Sequence, residues 1–141
     1  MTPPAAAGQG RPAQSVLHKF VNALKYCARM TTIGDNVVER KLAAFNAHDA
    51  ATVVRCFAES AVIDSSDSTL QLSGRREIFS FYSEWFEDCP AVQVQTRARI
   101  TVSSWVIDEE HVTGLAEGDL HEAVVYRLDT DGLISELHVL R

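Results

Sequence analysis

The feature that most constrains the fold is the order of two hydrophobic periodicities along the chain. Before residue 90, apolar side chains recur at helical spacing, as in Val37, Val38, Leu42 and Phe45. After that point they alternate with polar ones, as in residues 92–106, which is typical of strands. Helices and strands that follow one another in blocks favour an α+β fold over an alternating, parallel α/β sheet.

Two helices and an early strand are predicted in the first part of the domain. Either Asp35 or Asn36 can cap the first helix. Asp49 can cap a shorter helix that extends to about Phe57. Residues 61–64 are apolar and β-branched, which predicts a strand.

A third helix is predicted over residues 75–87, after a polar loop over residues 65–74. The sequence Cys89-Pro90 ends this helix, because the residue before a proline resists the helical conformation. One face of the helix contains four large apolar side chains, Ile78, Tyr82, Trp85 and Phe86.

The remaining residues predict a run of four antiparallel strands. We expect turns at residues 108–110, at Gly118-Asp119 and at Asp131-Gly132, the last of which is a strong hairpin signal. The predicted strands are residues 92–106, 111–117, 120–128 and 133–140.

Composition and charge exclude several classes of protein. The 141 residues are 46% apolar and 23% charged, which is typical of one folded domain and not of a disordered chain. No apolar run approaches the roughly 18–20 residues of a membrane-spanning helix. The net charge of −6 disfavours sequence-independent binding to nucleic acid. We therefore expect neither a nucleic acid nor a membrane as partner.

The net charge divides the chain into two segments. Residues 1–34 contain four basic residues and no acidic residue, whereas residues 35–141 contain all 19 acidic residues and have a net charge of −10. This boundary predicts a basic N-terminal extension over residues 1–34 and a folded domain over residues 35–141.

The extension has three interpretations. Residues 2–13 are rich in Pro, Ala and Gly, which predicts a disordered tail, and residues 14–28 have the spacing of an amphipathic helix. That helix is an extra element packed on the domain, or residues 1–30 target the protein to an organelle, or the core begins near Met30 and the extension lies upstream of it.

The cysteines and motifs predict a protein without a metal or cofactor. Cys27, Cys56 and Cys89 form no CxxC pair, so we expect free thiols in a cytoplasmic protein. The sequence contains no HxxxH or HxH metal motif, no glycine-rich nucleotide loop and no GxSxG serine motif.

Several short segments resemble one known superfamily. On these segments the chain resembles the nuclear-transport-factor-2-like proteins, which include SnoaL-like polyketide cyclases and ketosteroid isomerases. The resemblance covers about residues 36–140. It implies a cone-shaped, curved antiparallel sheet wrapped by three helices, here with an extra N-terminal helix, an apolar pocket and a homodimer formed through the sheet. The segments are residues 43–49 (AAFNAHD), 54–61 (VRCFAESA), 74–78 (GRREI) and 125–128 (VYRL) followed by Asp131-Gly132.

The resemblance also shows which catalytic groups are missing. Ketosteroid isomerases use a Tyr on the first core helix, an Asp at the end of the early strand and a protonated Asp on a later strand. The matching positions here hold Lys41, Ser65 and Val124. Asp64 lies one residue before the position of the base, which places it on the other face of a strand. We therefore expect no ketosteroid isomerisation by that machinery.

The predicted hairpin brings other polar groups to the inner face. It pairs His111 with Tyr126 and Thr113 with Val124, and paired residues share a face. Since Val124 matches a pocket position of the family, this face, with Glu122, is expected to point inward. A carboxylate on an apolar wall can reach a pKa near neutrality and transfer protons.

The sequence thus leads to two hypotheses. In the first, the protein binds a small apolar molecule in a cone cavity and acts as a cofactor-free isomerase, cyclase, dehydratase or epoxide hydrolase. In the second, it is a non-catalytic ligand-binding or dimerisation module of the same fold. The catalytic candidates are Glu122, Asp64 and His111, and the pocket candidates are Tyr82, Trp85, Thr113, Val124 and Tyr126.

Overall fold

The computed structural model describes residues 37–141. The predicted extension of residues 1–34, its amphipathic helix and the cap at Asp35 or Asn36 lie outside the described residues. Helix α1 is described over residues 37–46. Two further helices follow, α2 (Ala50–Arg55) and α3 (Arg75–Asp88).

The second helix begins as predicted and ends earlier. The Asp49 side chain accepts a hydrogen bond of 3.1 Å from the Thr52 backbone N–H, which satisfies one of the unpaired donors at the helix start. Phe57, which was predicted at the end of this helix, is instead the first residue of a strand and is fully buried. Its pairing opposite Ile134 overrides the local helical spacing.

Six strands form one mixed sheet in the order β2-β1-β6-β5-β4-β3. All neighbours are antiparallel except β1 and β6, which are parallel. The α+β prediction is therefore confirmed, with one parallel pair in a sheet predicted to be antiparallel. The strands are β1 (Phe57–Ser65), β2 (Gln71–Ser73), β3 (Gln93–Val102), β4 (Trp105–Thr113), β5 (Leu120–Leu128) and β6 (Ile134–Leu140).

Four details of the strand prediction are wrong. The early strand is longer than residues 61–64, and the polar loop of residues 65–74 contains the short edge strand β2. Residues 92–106 do not form one strand, because the chain turns at Ser103, where φ is +55°, and β4 begins at Trp105. The predicted turn over residues 108–110 lies inside β4.

The register of the β4–β5 hairpin also differs from the prediction. Glu110 lies opposite Glu122, and His111 opposite His121, instead of His111 opposite Tyr126. The difference is five residues, and an odd shift turns every side chain of a strand to the other face of the sheet. His111 and Thr113 therefore belong to the outer face, whereas Glu122 and Tyr126 remain on the inner face.

The helices pack against the inner face of the curved sheet and enclose the core. Phe45 of α1 makes edge-on contacts with Tyr82 and Phe86 of α3, with ring centroids 6.0 and 5.1 Å apart. The sheet contributes buried side chains such as Val106 and Val124. No helix within residues 37–141 is both long enough and apolar enough to cross a membrane.

Candidate active site

A small cavity lies between the helices and the inner face of the sheet. Its volume is about 40 Å³. Most of its wall is apolar, but four charged side chains also line it: Lys41, Glu110, Glu122 and Arg141. Charges enclosed by apolar walls are costly unless they are paired, so their arrangement decides what the cavity can do.

Three of the polar groups form a chain of hydrogen bonds. The Lys41 ammonium on α1 donates to the Tyr126 hydroxyl on β5 over 3.2 Å. That hydroxyl donates to Glu110 Oε1 on β4 over 2.7 Å. Lys41 and Glu110 are 5% and 4% exposed, and Tyr126 is fully buried. A phenol thus links a buried cation to a buried carboxylate.

Aromatic rings surround the Lys41 ammonium. Its nitrogen lies 5.7 Å from the ring centroids of Phe45 and Tyr82 and 5.3 Å from that of Tyr126. These distances fall within the roughly 6 Å at which a cation is attracted to the face of an aromatic ring. The rings therefore replace part of the hydration that the ammonium loses on burial.

Burial and neighbouring charges shift the pKa values of these groups. Burial raises the pKa of Glu110, and the nearby Lys41 ammonium offsets this rise only in part. Burial by itself lowers the pKa of Lys41, but Tyr82 and Glu110 outweigh it, so that its pKa is raised. Burial also raises the pKa values of Tyr82 and Tyr126. At neutral pH both phenols are thus neutral and Lys41 is an ammonium ion.

A second carboxylate faces the first across the sheet. Glu122 lies directly opposite Glu110 on the neighbouring strand and is 7% exposed. Its Oε2 accepts a hydrogen bond of 2.9 Å from Arg141 Nε. Each carboxylate therefore has its own cation, which is Lys41 through Tyr126 for Glu110 and Arg141 for Glu122. This pairing limits the repulsion between two acidic groups on facing strands.

Asp108, two residues before Glu110, has a structural role. It is fully buried and forms two hydrogen bonds with Arg99, of 2.6 Å to Nε and 2.8 Å to an NH2 group. Arg99 also contacts Glu39 over 2.6 Å and thereby ties α1 to the sheet. Hydrogen bonding to Asp108 raises the pKa of Arg99 further above its ordinary value.

The structure places the predicted site residues in two groups. Glu122, Tyr82, Trp85 and Val124 line the cavity, and the Tyr126 hydroxyl contacts its Lys41.

The other three candidates lie elsewhere. Asp64 on β1 contacts His138 Nδ1 over 2.6 Å outside the cavity. His111 contacts Arg97 over 2.9 Å and Asp119 over 3.3 Å, and Thr113 lies on the same outer face. The change of register explains both outer positions on β4.

Three cavity residues were missed by sequence reasoning. Lys41 lies one helical turn after Val37 and one before Phe45, so its spacing places it on the buried face of α1. Glu110 was assigned to a turn, although Val106, Asp108, Glu110 and Val112 alternate along one face of β4. Arg141 had no signal, because only the sheet brings it beside Glu122.

The site shows no arrangement for a metal ion. Within residues 37–141, no group of three or more His, Cys, Asp or Glu side chains is placed to hold one. The two cysteines in this part of the chain, Cys56 and Cys89, are free thiols that do not line the cavity.

Comparison with known proteins adds a family and several structural neighbours. The family model described as a SnoaL-like domain matches residues 38–137. No curated protein matches the sequence.

Three solved structures share the fold at low sequence identity. An uncharacterized cystatin-fold protein from Novosphingobium aromaticivorans has a TM-score of 0.70 at 21% identity, covering 77% of this chain and 97% of its own. A SnoaL-like protein of unknown function from Burkholderia thailandensis has a TM-score of 0.65 at 17% identity, covering 77% and 92%. A nuclear-transport-factor-2-like protein of unknown function from Cytophaga hutchinsonii has a TM-score of 0.64 at 12% identity, covering 75% and 87%.

Proposed function

Because the chain belongs to the SnoaL-like domain family, we propose that its inner cavity binds a small apolar molecule bearing a carbonyl group and that Glu110 transfers a proton on it without a cofactor. The observation behind this proposal is the buried chain of Lys41, Tyr126 and Glu110 at a mostly apolar cavity. The catalytic groups of ketosteroid isomerases are absent here, since their positions hold Lys41, Ser65 and Val124. In this proposal the hydrogen-bonded chain takes over their role.

The proposed step is the removal of a proton from the carbon next to the carbonyl. Glu110 accepts that proton, the C–H electron pair forms a carbon–carbon double bond, and negative charge moves to the carbonyl oxygen. The raised pKa of Glu110 suits this role, since a base works best when its pKa lies near the working pH. In a β,γ-unsaturated ketone the enolate is conjugated with the second double bond, and return of the proton to the γ-carbon completes an isomerisation.

Lys41 is the group that stabilises the developing negative charge. An ammonium has three N–H donors, and Tyr126 accepts one of them. A fixed cation in a site that excludes water stabilises an oxyanion more strongly than the same cation in water. Glu122, opposite Glu110, is the second carboxyl group for delivering or accepting a proton.

The experiment uses 2-butanone in heavy water and follows loss of its α-proton signals by proton NMR. The cavity measures only about 40 Å³, so 2-butanone is chosen as one of the smallest ketones. We expect exchange above the buffer rate, and Glu110→Gln should lower it at least about 100-fold, as for loss of a general base. Glu109→Gln is the matched control on the exposed outer face.

The outcome is decisive in both directions. Exchange that depends on Glu110 and not on Glu109 supports the proposal. Wild-type exchange no faster than buffer, or an undiminished rate in Glu110→Gln, would overturn it.

A non-catalytic dimerisation module is the second candidate. Two observations favour it: the cavity is far smaller than the roughly 300 Å³ of ordinary ligand pockets, and the outer sheet face exposes apolar side chains. Ile100 is 59% exposed and Val102 51%. Sedimentation should show a homodimer that Ile100→Asp dissociates and Phe79→Asp, a similar change on the helix α3, does not. A wild-type monomer at high concentration would contradict this candidate.

A further inference from the structure

An open groove adjoins the inner cavity. Its volume is about 400 Å³, and it shares three wall residues with the cavity, Phe81, Trp85 and Arg141. Ordinary ligand pockets measure roughly 300–1,000 Å³, so the groove and cavity together reach this range, whereas the cavity by itself does not. The side chains of the shared wall thus decide whether the site accepts only very small molecules or larger ones.

Arg141 is the wall residue best placed to move. Its backbone N–H and carbonyl are both held by the Ser66 hydroxyl, over 3.0 and 3.2 Å, which fixes the chain at this point. Its guanidinium contacts Glu122 over 2.9 Å and lies 3.8 Å from Asp67, which is more exposed. Rotation of the side chain away from Glu122 would therefore open the wall while the guanidinium keeps its ion pair with Asp67.

The groove favours a neutral, apolar occupant. Phe81, Trp85, Leu115 and Leu120 contribute apolar surface to it. Acidic side chains stand among them, which disfavours a ligand with an anionic tail; they are Glu84, Asp88 and Glu117.

On the basis of the proposed function, we propose that the substrate is an elongated neutral molecule that occupies both spaces. Its carbonyl end lies in the inner cavity near Lys41, and its apolar body lies in the groove across Trp85. Binding displaces Arg141 from Glu122, so that the second carboxylate loses its ion-pair partner only when an extended ligand is present.

The test compares ketones of increasing length, from 2-butanone to 2-decanone. Trp105→Phe serves as the background, because it leaves Trp85 in the wall as the single tryptophan whose fluorescence reports binding. Each added methylene that enters the groove should tighten binding roughly three- to fourfold. Ala116→Phe, at an exposed position of the groove, should weaken binding of 2-decanone at least tenfold and leave 2-butanone unchanged. Ala98→Phe, on the edge strand β3, is the matched control.

The outcomes separate this inference from the proposed function. The two-space site is the inner cavity and the groove occupied by one ligand. It is refuted if 2-decanone binds no more tightly than 2-butanone, or if Ala116→Phe and Ala98→Phe behave alike, even where 2-butanone exchange depends on Glu110. If chain length strengthens binding while no ketone exchanges its protons, the two-space site stands and the proposed catalysis fails.

Discussion

Removal of the buried ammonium is the sharpest test of how the cavity charges are compensated. Lys41→Met keeps the shape of a long side chain but removes the cation that Tyr126 links to Glu110. A buried carboxylate that loses its partner costs about 3–5 kcal/mol. At pH 8 we therefore expect the free energy of unfolding to fall by about that amount. For a domain of this size, this corresponds to a loss of about 10–20 °C in Tm.

The pH dependence of this loss follows from the pKa of Glu110. A carboxyl group whose pKa is raised on folding binds more protons in the folded state, so its contribution to stability decreases as pH rises through that raised pKa. Lys41→Met removes a group that lowers this pKa. The deficit should thus be smaller at pH 5 than at pH 8, because a larger fraction of Glu110 is protonated at the lower pH, and it should grow by up to about 1.4 kcal/mol per pH unit between them.

Urea unfolding followed by circular dichroism at pH 5, 6, 7 and 8 measures the effect. The double variant Lys41→Met/Glu110→Gln should recover most of the stability at pH 8, because the uncompensated charge is gone. Arg76→Met, which removes an exposed positive charge from α3, should change stability by less than about 0.5 kcal/mol. A Lys41→Met deficit that is absent, or that is the same at pH 5 and pH 8, would refute the reasoning.

Two further predictions concern the backbone and a surface carboxylate. Gly114→Ala should lower Tm much more than Gly118→Ala in calorimetry, since only at Gly114 would the added Cβ collide with the carbonyl of Ala91, although both glycines have positive φ; equal losses would contradict the steric argument. By NMR titration Asp67 should show a pKa of about 2, held low first by the Ser65 hydroxyl, and Ser65→Ala should move it toward 3.8. A wild-type midpoint near 4 would show that these hydrogen bonds are not formed in solution.

The elements that depend on local chemistry were predictable. The third helix was placed within one residue of its end, because its apolar face and Cys89-Pro90 are both readable nearby in the sequence. The cap at Asp49 and the turn at Asp131-Gly132 were found for the same reason. Resemblance to the family then implied the cone fold on about the same residues that the family model matches.

The candidate site was only partly predictable, because its acidic residues have the local sequence pattern of a turn. Three consecutive acidic residues, Asp108, Glu109 and Glu110, look like a turn when no partner is visible. In the fold Arg99 pairs with the first, and Tyr126 and Lys41 compensate the third, so the segment remains in a strand. Local polarity could not reveal partners that lie many residues away in the chain.

The sequence by itself determined that this chain forms helices first and a sheet afterwards, since periodicity depends on neighbouring residues alone. Only the tertiary structure decided which acidic group belongs to the cavity. The face of each residue in a strand follows from the pairing register, and a shift of five residues moved His111 outward and brought Glu110 opposite Glu122. Glu110 and Lys41 are 69 positions apart in the chain, and they meet at the cavity only because α1 packs across the inner face of the sheet.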